Sequence, residues 1–372
     1  MSEISRNSAD GLATVDRHID HVSTVPAVAG ETLQLFLREK AAPEIAALPA
    51  GKPPPGGVVL MVHGGYWPGT LAFDLPYRDY SWMAALARAG FDVFAMDMTG
   101  YGYSSRPLMD DPRNLSREDQ AQLVPRTLPD VAPPSHPFNL VTSDSETDDI
   151  DAAVDFIRTL RGVDRVSLLG WSGGGIRTGT YTVRRPDKVD RLVLFASSNF
   201  DPDGPGEPPD DLPGPGVPVT IQSRKVGEAV RWMPNVHCDG QVAPDMMDIV
   251  WPASMETDAV GARWGPGVLR APGRTYWGWN ADNAATIRIP TLVMSGEYDR
   301  LYESNVALYG ALGTPNKAFL GIECASHFMA WEMQRFVLHR ASTEWLISGT
   351  LDGATKGSFW ADRQGGIARM TA

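Results

Sequence analysis

The sequence has few cysteines, no long apolar run and no excess of basic residues, and each absence excludes a class of protein. Two cysteines, Cys238 and Cys324, occur in 372 residues, which implies no disulfide framework and makes a reducing compartment the default. No apolar run approaches the roughly 18 to 20 residues of a membrane span, so we expect no membrane partner. The formal net charge of −12 argues against nucleic-acid binding, which needs clustered Lys and Arg.

The two ends of the chain are predicted to lie outside the folded core. The first residues, MSEISRNSADGLATVDRH, lack the basic start and apolar centre of a signal peptide. We therefore expect a cytoplasmic protein in which residues 1–30 form a loose N-terminal leader. Residues 351–372 are rich in glycine and carry no clear structural signal, so we expect a C-terminal tail.

Between these ends, strand-like and helix-like segments alternate. Apolar runs predict strands at TLQLFLREK (32–40), VVLMVHGG (58–65), FDVFAMDM (91–98), VSLLG (166–170), RLVLFASS (191–198), TLVMSGEYD (291–299) and KAFLGIE (317–323), which we expect to be the last. Helical patterns occur at SWMAALARAG (81–90), at SETDDIDAAVDFIRTLRG (145–162) and after Ser172. This alternation predicts an α/β fold with a mostly parallel central sheet flanked by helices, built from residues 31–199 and 286–350.

The alternation stops between residues 200 and 285. This segment begins DPDGPGEPPDDLPGPGVP, which is too rich in proline for a sheet, and we interpret it as an insertion over the sheet. It contains five tryptophans: Trp232, Trp251, Trp264, Trp277 and Trp279. Two interpretations of these side chains stay open: they pack the insertion itself, or they line an apolar pocket for a ligand.

The segment VSLLGWSGGGIRTG (166–179) places Ser172 in a glycine-rich turn between a strand and a helix. G-x-S-x-G in this setting is typical of a nucleophile elbow, whose turn lifts the serine hydroxyl above the sheet. A glycine-rich turn at a helix N-terminus could instead bind a phosphate. The pattern alone leaves both interpretations open.

The segment VHGGYW (62–67) ends an earlier predicted strand with two glycines. Acyl transfer needs backbone N–H groups directed at the oxygen that becomes negatively charged, and small residues let a carbonyl come close. The N–H of Gly65 or of Tyr66, together with the N–H of Gly173, would supply such an oxyanion hole. The pattern therefore favours the nucleophile interpretation of Ser172.

An acid and a base follow in the chain order that this chemistry requires. Asp299 comes just after a predicted strand, where its carboxylate could orient an imidazole. Glu297 competes for this role, and we favour Asp299 because it fills the last place of a G-x-x-D turn. His327 lies 28 residues beyond Asp299, in the loop after the last predicted strand, which gives the order Ser, Asp, His.

With these features, the stretch DMTGYGYSSRP (97–107) resembles the D-x-x-G-x-G-x-S-x-x-P turn of many α/β-hydrolases. The chain is identified as a member of that superfamily over about 55–200 and 286–348. The resemblance implies an α/β-hydrolase fold with a cap inserted after the sixth strand, at residues 200–285. It also implies the roles of the site residues: Ser172 as nucleophile, His327 as general base and acid, Asp299 as its orienting acid, and Gly65, Tyr66 and Gly173 in the oxyanion hole.

The expected function is that of a serine hydrolase that cleaves a carboxylic ester or lactone of a small, largely apolar substrate through an acyl-serine. No cofactor is expected, and no metal, since the histidines lack partners at zinc spacing. The apolar insertion could contribute to a homodimer. Three alternatives share the same residues: a C–C bond hydrolase of a β-diketone or ring-cleavage product, a cofactor-free acyltransferase, and a small-molecule sensor. The candidates for substrate binding are Trp171, Trp232, Trp251 and Trp277.

Overall fold

The computed structural model describes residues 2–7, 11–198 and 200–370. Within these ranges, fifteen strands form one sheet of eleven strands and two small sheets of two strands each. The strands are β1 Ser2–Asn7, β2 Ala13–Val22, β3 Thr32–Ala41, β4 Val58–Val62, β5 Asp92–Asp97, β6 Val141–Thr142, β7 Val166–Trp171, β8 Val189–Phe195, β9 Val219–Ser223, β10 Val268–Pro272, β11 Arg274–Thr275, β12 Thr291–Gly296, β13 Lys317–Ile322, β14 Gly357–Ala361 and β15 Ile367–Arg369.

The α-helices of the same ranges cover both faces of the large sheet. They are α1 Pro43–Ala46, α2 Gly69–Phe73, α3 Trp82–Arg88, α4 Arg117–Ala121, α5 Ser143–Arg161, α6 Gly173–Arg184, α7 Met246–Glu256, α8 Ala281–Ala284, α9 Tyr302–Ala311 and α10 Arg335–Ser348. Apolar residues of α3 and α10 belong to one buried cluster, and those of α5, α6 and α9 to a second. None of the helices in the described ranges is long and apolar enough to cross a membrane.

The centre of the large sheet is parallel. Its strand order is β1-β2-β3-β5-β4-β7-β8-β12-β13-β14-β15, and every pairing from β5 to β14 is parallel. All five residues of β4 are buried, as expected for a strand covered by helices on both faces. The predicted α/β fold with a mostly parallel central sheet flanked by helices is therefore confirmed.

The N-terminal segment is not a loose leader, so this prediction is wrong for the described part of residues 1–30. Strand β2 pairs antiparallel with β3 over ten residues, and β1 pairs with β2. Several polar residues of this segment are buried, and polar residues in a sequence usually indicate an exposed segment. Arg17 is 5% exposed and forms an ion pair with Glu39 of β3, and such a partner is not visible in a local pattern. Residues 1 and 8–10 of the predicted leader lie outside the described ranges.

The C-terminal segment also extends the sheet, and β13 is not the last strand. Strand β14 pairs parallel with β13, and β15 pairs antiparallel with β14. Phe359 and Ala361 of β14 are buried against the central core. The tail prediction failed because this strand is only five residues long and begins at a glycine.

Residues 200–285 lie between two neighbouring strands of the sheet, β8 and β12. Residues 201–218 contain no strand, as their proline content predicts. The remainder forms the two-stranded sheet β9–β10 and the helices α7 and α8, while β11 pairs with β6. Side chains of α7 share one buried apolar cluster with α3 and α10, so the insertion packs directly on the core.

The two cysteines form a disulfide, whereas their number implied no disulfide framework. Cys238 of the insertion is bonded to Cys324 in the loop after β13. The bond spans a sequence separation of 86 residues, and a count of two cysteines gives no sign of such pairing. The argument for a reducing compartment rested on that count and no longer holds.

Candidate active site

Ser172 occupies a sharp turn between β7, which ends at Trp171, and α6, which begins at Gly173. Its backbone has φ 57° and ψ −120°, a conformation that a residue with a side chain rarely adopts. Such strained backbone is concentrated at functional sites. The turn brings the side chain of Ser172 to the wall of a cavity.

The glycines around Ser172 permit a close approach of backbone. A Cβ atom on Gly174 would collide with the carbonyl oxygen of Val62 in β4. On Gly170, a Cβ would collide with the carbonyl oxygen of Gly174 and lie 2.5 Å from the hydroxyl of Thr178. These two positions therefore require glycine for α6 to pack against the ends of the strands.

Ser172, His327 and Asp299 form a continuous hydrogen-bonded chain. Ser172 Oγ lies 2.9 Å from His327 Nε2, and His327 Nδ1 lies 3.0 Å from Asp299 Oδ2. Asp299 is 4% exposed, and its Oδ1 also accepts the N–H of Leu301 at 2.9 Å. The competing Glu297 instead accepts the backbone N–H of Cys324, so it is not the carboxylate that contacts the histidine.

A buried carboxylate, Glu332, organises the loop that carries His327. It accepts the backbone N–H of Ser326 at 2.9 Å and also the hydroxyl of that residue. From the insertion it accepts the indole N–H of Trp232 at 2.9 Å and the amide of Gln241 at 3.1 Å. Burial raises the pKa of this carboxyl, and the four donors stabilise its charged form. The insertion and the His327 loop are thus joined through one side chain.

The loop after β4 presents free backbone N–H groups to the same cavity. Tyr66 has φ 66°, and the N–H of Trp67 bonds to the carbonyl of Gly65 at 2.8 Å, which defines a γ-turn, a rare and strained form. Within the described ranges, the N–H groups of Gly65, Tyr66 and Gly173 have no hydrogen-bond acceptor. A Cβ on Gly173 would lie 3.5 Å from the Gly65 nitrogen. The unpaired N–H groups of Gly65 and Gly173 therefore lie close to each other beside Ser172.

His63, at the start of the loop after β4, is a neutral imidazole that bonds to the backbone of this loop. Its Nε2 accepts the N–H of Met98 at 3.2 Å, so Nδ1 carries the proton and donates to the carbonyl of Gly64 at 2.7 Å. The ring is fully buried. Burial and the neighbouring positive charge of Arg177 hold its pKa well below the usual value.

The stretch DMTGYGYSSRP is connected through Asp97 to the segment that follows the loop after β4. Asp97 is buried, and its Oδ1 accepts the N–H of Gly69 at 2.7 Å while Oδ2 accepts the N–H of Tyr103 at 2.9 Å. Burial raises the pKa of this carboxyl, and the backbone donors oppose that shift. The motif therefore ties the turn after β5 to the start of α2.

A cavity of about 310 Å³ opens above Ser172. Its walls include Ser172 and His327, the three residues Gly65, Tyr66 and Gly173, and three arginines: Arg231, Arg274 and Arg300. Gln222 also lines it, and both polar atoms of its buried amide lack hydrogen-bond partners. This lining is more polar than the apolar pocket that the tryptophans suggested. Among the described residues, no group of three or more His, Cys, Asp or Glu could hold a metal.

The four tryptophans predicted to bind substrate do not act as one set. Trp171 lines the cavity, and the described lining does not include the other three. Trp232 is fully buried and stacks on Phe328 at 5.1 Å between ring centroids. Trp251 and Trp277 are 7% and 3% exposed. The structure therefore supports the packing interpretation for these three. A local sequence pattern does not distinguish a tryptophan of the core from a tryptophan of a pocket.

Arg274 lines the cavity although no motif in the sequence predicts it there. It lies on β11, where it pairs with Val141 of β6. Its Nη1 and Nη2 lie 3.3 Å and 3.4 Å from Cβ atoms built on Gly173 and Gly65. No motif marks an arginine in an irregular segment, and only the strand pairing reveals its position.

Comparison with known proteins gives the same fold. Residues 57–219 match a family model described as alpha/beta hydrolase fold. A meta-cleavage product hydrolase from Pseudomonas fluorescens IP01 aligns at a TM-score of 0.52 and 15% identity, covering 89% of this chain and 98% of that one. A thermophilic esterase from Thermogutta terrifontis aligns at 0.51 and 17%, covering 89% and 98%. A serine hydrolase from Cycloclasticus zankles aligns at 0.51 and 17%, covering 90% and 98%.

The chain has the α/β-hydrolase fold. No curated protein sequence matches it. At identities of 15% to 17%, these structural alignments show the shared fold alone. The fold does not define the reaction.

Proposed function

We propose that the protein is a serine hydrolase that cleaves a carboxylic ester through an acyl-serine intermediate. The observation that carries this proposal is the hydrogen-bonded chain from Ser172 through His327 to Asp299, with distances of 2.9 Å and 3.0 Å. A nucleophile, a base and an orienting acid in this arrangement are what acyl transfer requires.

In the first half of the reaction, Ser172 Oγ attacks the ester carbonyl and transfers its proton to His327 Nε2. Asp299 accepts the Nδ1–H of His327 and stabilises the imidazolium that forms. The carbonyl oxygen, which becomes negatively charged, accepts hydrogen bonds from the free N–H groups of Gly65 and Gly173. Each such donor contributes about 3 kcal/mol of transition-state stabilisation. Transfer of the proton from His327 to the alcohol oxygen breaks the bond between that oxygen and the carbonyl carbon, so the alcohol leaves and Ser172 is acylated.

In the second half, His327 deprotonates a water molecule. The resulting hydroxide attacks the acyl-serine, and the acid is released as the proton returns to Ser172. No cofactor enters these steps. The strained backbone of Ser172 and Tyr66 supports the proposal, since it fixes the hydroxyl and the N–H groups before substrate arrives.

The nucleophile is tested by Ser172→Ala. We expect kcat/KM for 4-nitrophenyl butyrate to fall by about 10⁴-fold or more, with the same Tm as the unchanged protein. A fluorophosphonate should label the unchanged protein once and should not label the variant. Ser198→Ala is the matched control, because Ser198 lines the same cavity and should leave labelling intact. Esterase activity that survives in Ser172→Ala would refute the assignment.

The reaction type is tested with a panel of substrates. Aryl esters, alkyl esters, lactones and a vinylogous diketone should be compared at equal concentration. We expect turnover of esters to exceed that of the diketone, because Ser172, His327 and the N–H groups of Gly65 and Gly173 suffice for ester cleavage, whereas C–C cleavage also needs a proton delivered to the leaving carbon. Turnover of the diketone with little ester hydrolysis would instead assign a C–C bond hydrolase.

A further inference from the structure

The cavity beside Ser172 combines positive charge with an absence of acidic side chains. Three of its lining residues are arginines, and none of the described lining residues is Asp or Glu. The whole chain, in contrast, has 45 acidic and 33 basic residues. A cationic cavity in an acidic protein attracts and holds anions.

The positive charge nearest the nucleophile is only partly neutralised by the protein. Arg177 forms the closer ion pair with Glu146, with Nη2 2.7 Å from Oε1. Arg274 Nη1 lies 3.9 Å from the same oxygen. Two guanidinium groups thus share one carboxylate, and His63 next to them is neutral. The side chain of Arg274 is 19% exposed, and a largely buried charge that shares its partner is costly, so its retention points to a ligand.

Hydrogen-bond partners are missing as well as charge. The Nη1 atom of Arg274 is shielded from solvent and has no hydrogen-bond acceptor among the described residues. The guanidinium is held in place by stacking over Tyr276, at 4.9 Å from the ring centroid. Gln222 lines the same cavity, is 1% exposed, and both polar atoms of its amide are unpaired. Buried polar groups of this kind are normally satisfied.

We propose that the substrate carries a carboxylate close to the scissile carbonyl, and that Arg274 binds this carboxylate. The inference rests on the proposed function and specifies its substrate class: esters of a dicarboxylic acid in which one carboxylate stays free. The guanidinium stands beside both Gly65 and Gly173, whose N–H groups would hold the carbonyl oxygen. A carboxylate a few atoms from the carbonyl therefore reaches Arg274 without leaving the cavity.

Arginine suits this role because its planar fork pairs with both oxygens of a carboxylate. Arg231, which lies over the ring of Tyr66 at 5.1 Å, and Arg300 are exposed and line the cavity. These two add positive potential along the route of entry. The nearer Arg274 supplies the direct contact.

The test compares two esters of similar length, 4-nitrophenyl hydrogen glutarate and 4-nitrophenyl valerate. We expect kcat/KM of the unchanged protein to favour the anionic ester. In Arg274→Gln, the ratio of the two values should fall on the order of 10- to 100-fold, as for loss of a charged hydrogen bond. Arg274→Lys should recover part of the ratio. The matched control is Arg126→Gln, which removes an exposed arginine outside the cavity and should leave the ratio unchanged.

A second measurement does not depend on turnover or on folding of the variant. In the unchanged protein, glutarate should slow fluorophosphonate labelling of Ser172 and raise the Tm, whereas uncharged glutaramide should do neither.

Equal hydrolysis of both esters, or equal effects of glutarate and glutaramide, would overturn the inference and leave the ester-hydrolase proposal standing. If the unchanged protein hydrolyses neither ester but glutarate still raises its Tm, the hydrolase proposal would be refuted and Arg274 would remain an anion-binding residue.

Discussion

Removal of the Cys238–Cys324 disulfide should destabilise the protein by a predictable amount. The bond closes a loop of 86 residues, and the chain-entropy relation for such a loop gives about 4.6 kcal/mol at 25 °C. Unfolding entropy of roughly 2.1 cal/mol/K per residue for 372 residues converts this into a fall in Tm of about 6 °C. The double variant Cys238→Ser, Cys324→Ser should show that fall in a calorimetric scan.

Activity at 25 °C should survive the same change within a few-fold. Although Cys324 lies three residues before His327, the insertion is also attached to this loop without the disulfide. Trp232 and Gln241 both donate to Glu332, and the N–H of Met333 donates to the carbonyl of Gln241 at 2.8 Å. These contacts should keep His327 in position once the covalent link is gone.

A phosphine reductant supplies the control. It should lower the Tm of the unchanged protein by the same amount and have no effect on the double variant, with two free thiols appearing in the mass spectrum. An unchanged Tm after verified reduction would refute the loop-entropy argument. Loss of activity in parallel with reduction would refute the claim that non-covalent contacts hold the His327 loop.

Two further predictions concern the base of the site. Gly174→Ala would place a methyl group against the carbonyl oxygen of Val62 and should cost about 2–3 kcal/mol in urea unfolding. Gly310→Ala, where nothing lies within 4 Å, should be neutral or stabilising; equal losses would contradict the packing argument. Because the folded-state pKa of His63 is lowered, its stabilisation is complete above pH 6.5 and falls below it by up to about 1.4 kcal/mol per pH unit. The stability gap to His63→Asn should therefore narrow from pH 7 to pH 5, and a constant gap would refute the neutral imidazole.

Local signals in the sequence were enough to predict the central fold and the positions that meet at Ser172. The strand-turn-helix pattern around Ser172 depends on neighbours within a few residues, and the structure has the predicted strand and helix on either side. The choice of Asp299 over Glu297 followed from turn geometry, and it is Asp299 that contacts His327. Short-range patterns carry this information because glycines and apolar runs report on backbone conformation directly.

The features that the sequence did not predict depend on distant partners. Strand β2 pairs with β3 over ten residues, and its buried Arg17 forms an ion pair with Glu39 of that strand. Arg274 reaches the cavity because β11 pairs with β6, more than a hundred residues earlier. Trp232 is a candidate for substrate binding in the sequence, and its bond to Glu332 places it in the core. Each outcome follows from a contact between segments that are far apart in the chain.

The bonds of Glu332 bear on how this protein could be re-engineered or could diverge. Trp232 and Gln241 of the insertion share a carboxylate with the loop of His327. A grafted insertion that lacks these two donors would leave Glu332 buried with unmet hydrogen bonds. Exchange of the insertion in this scaffold should therefore keep the tryptophan and the glutamine together with the new sequence.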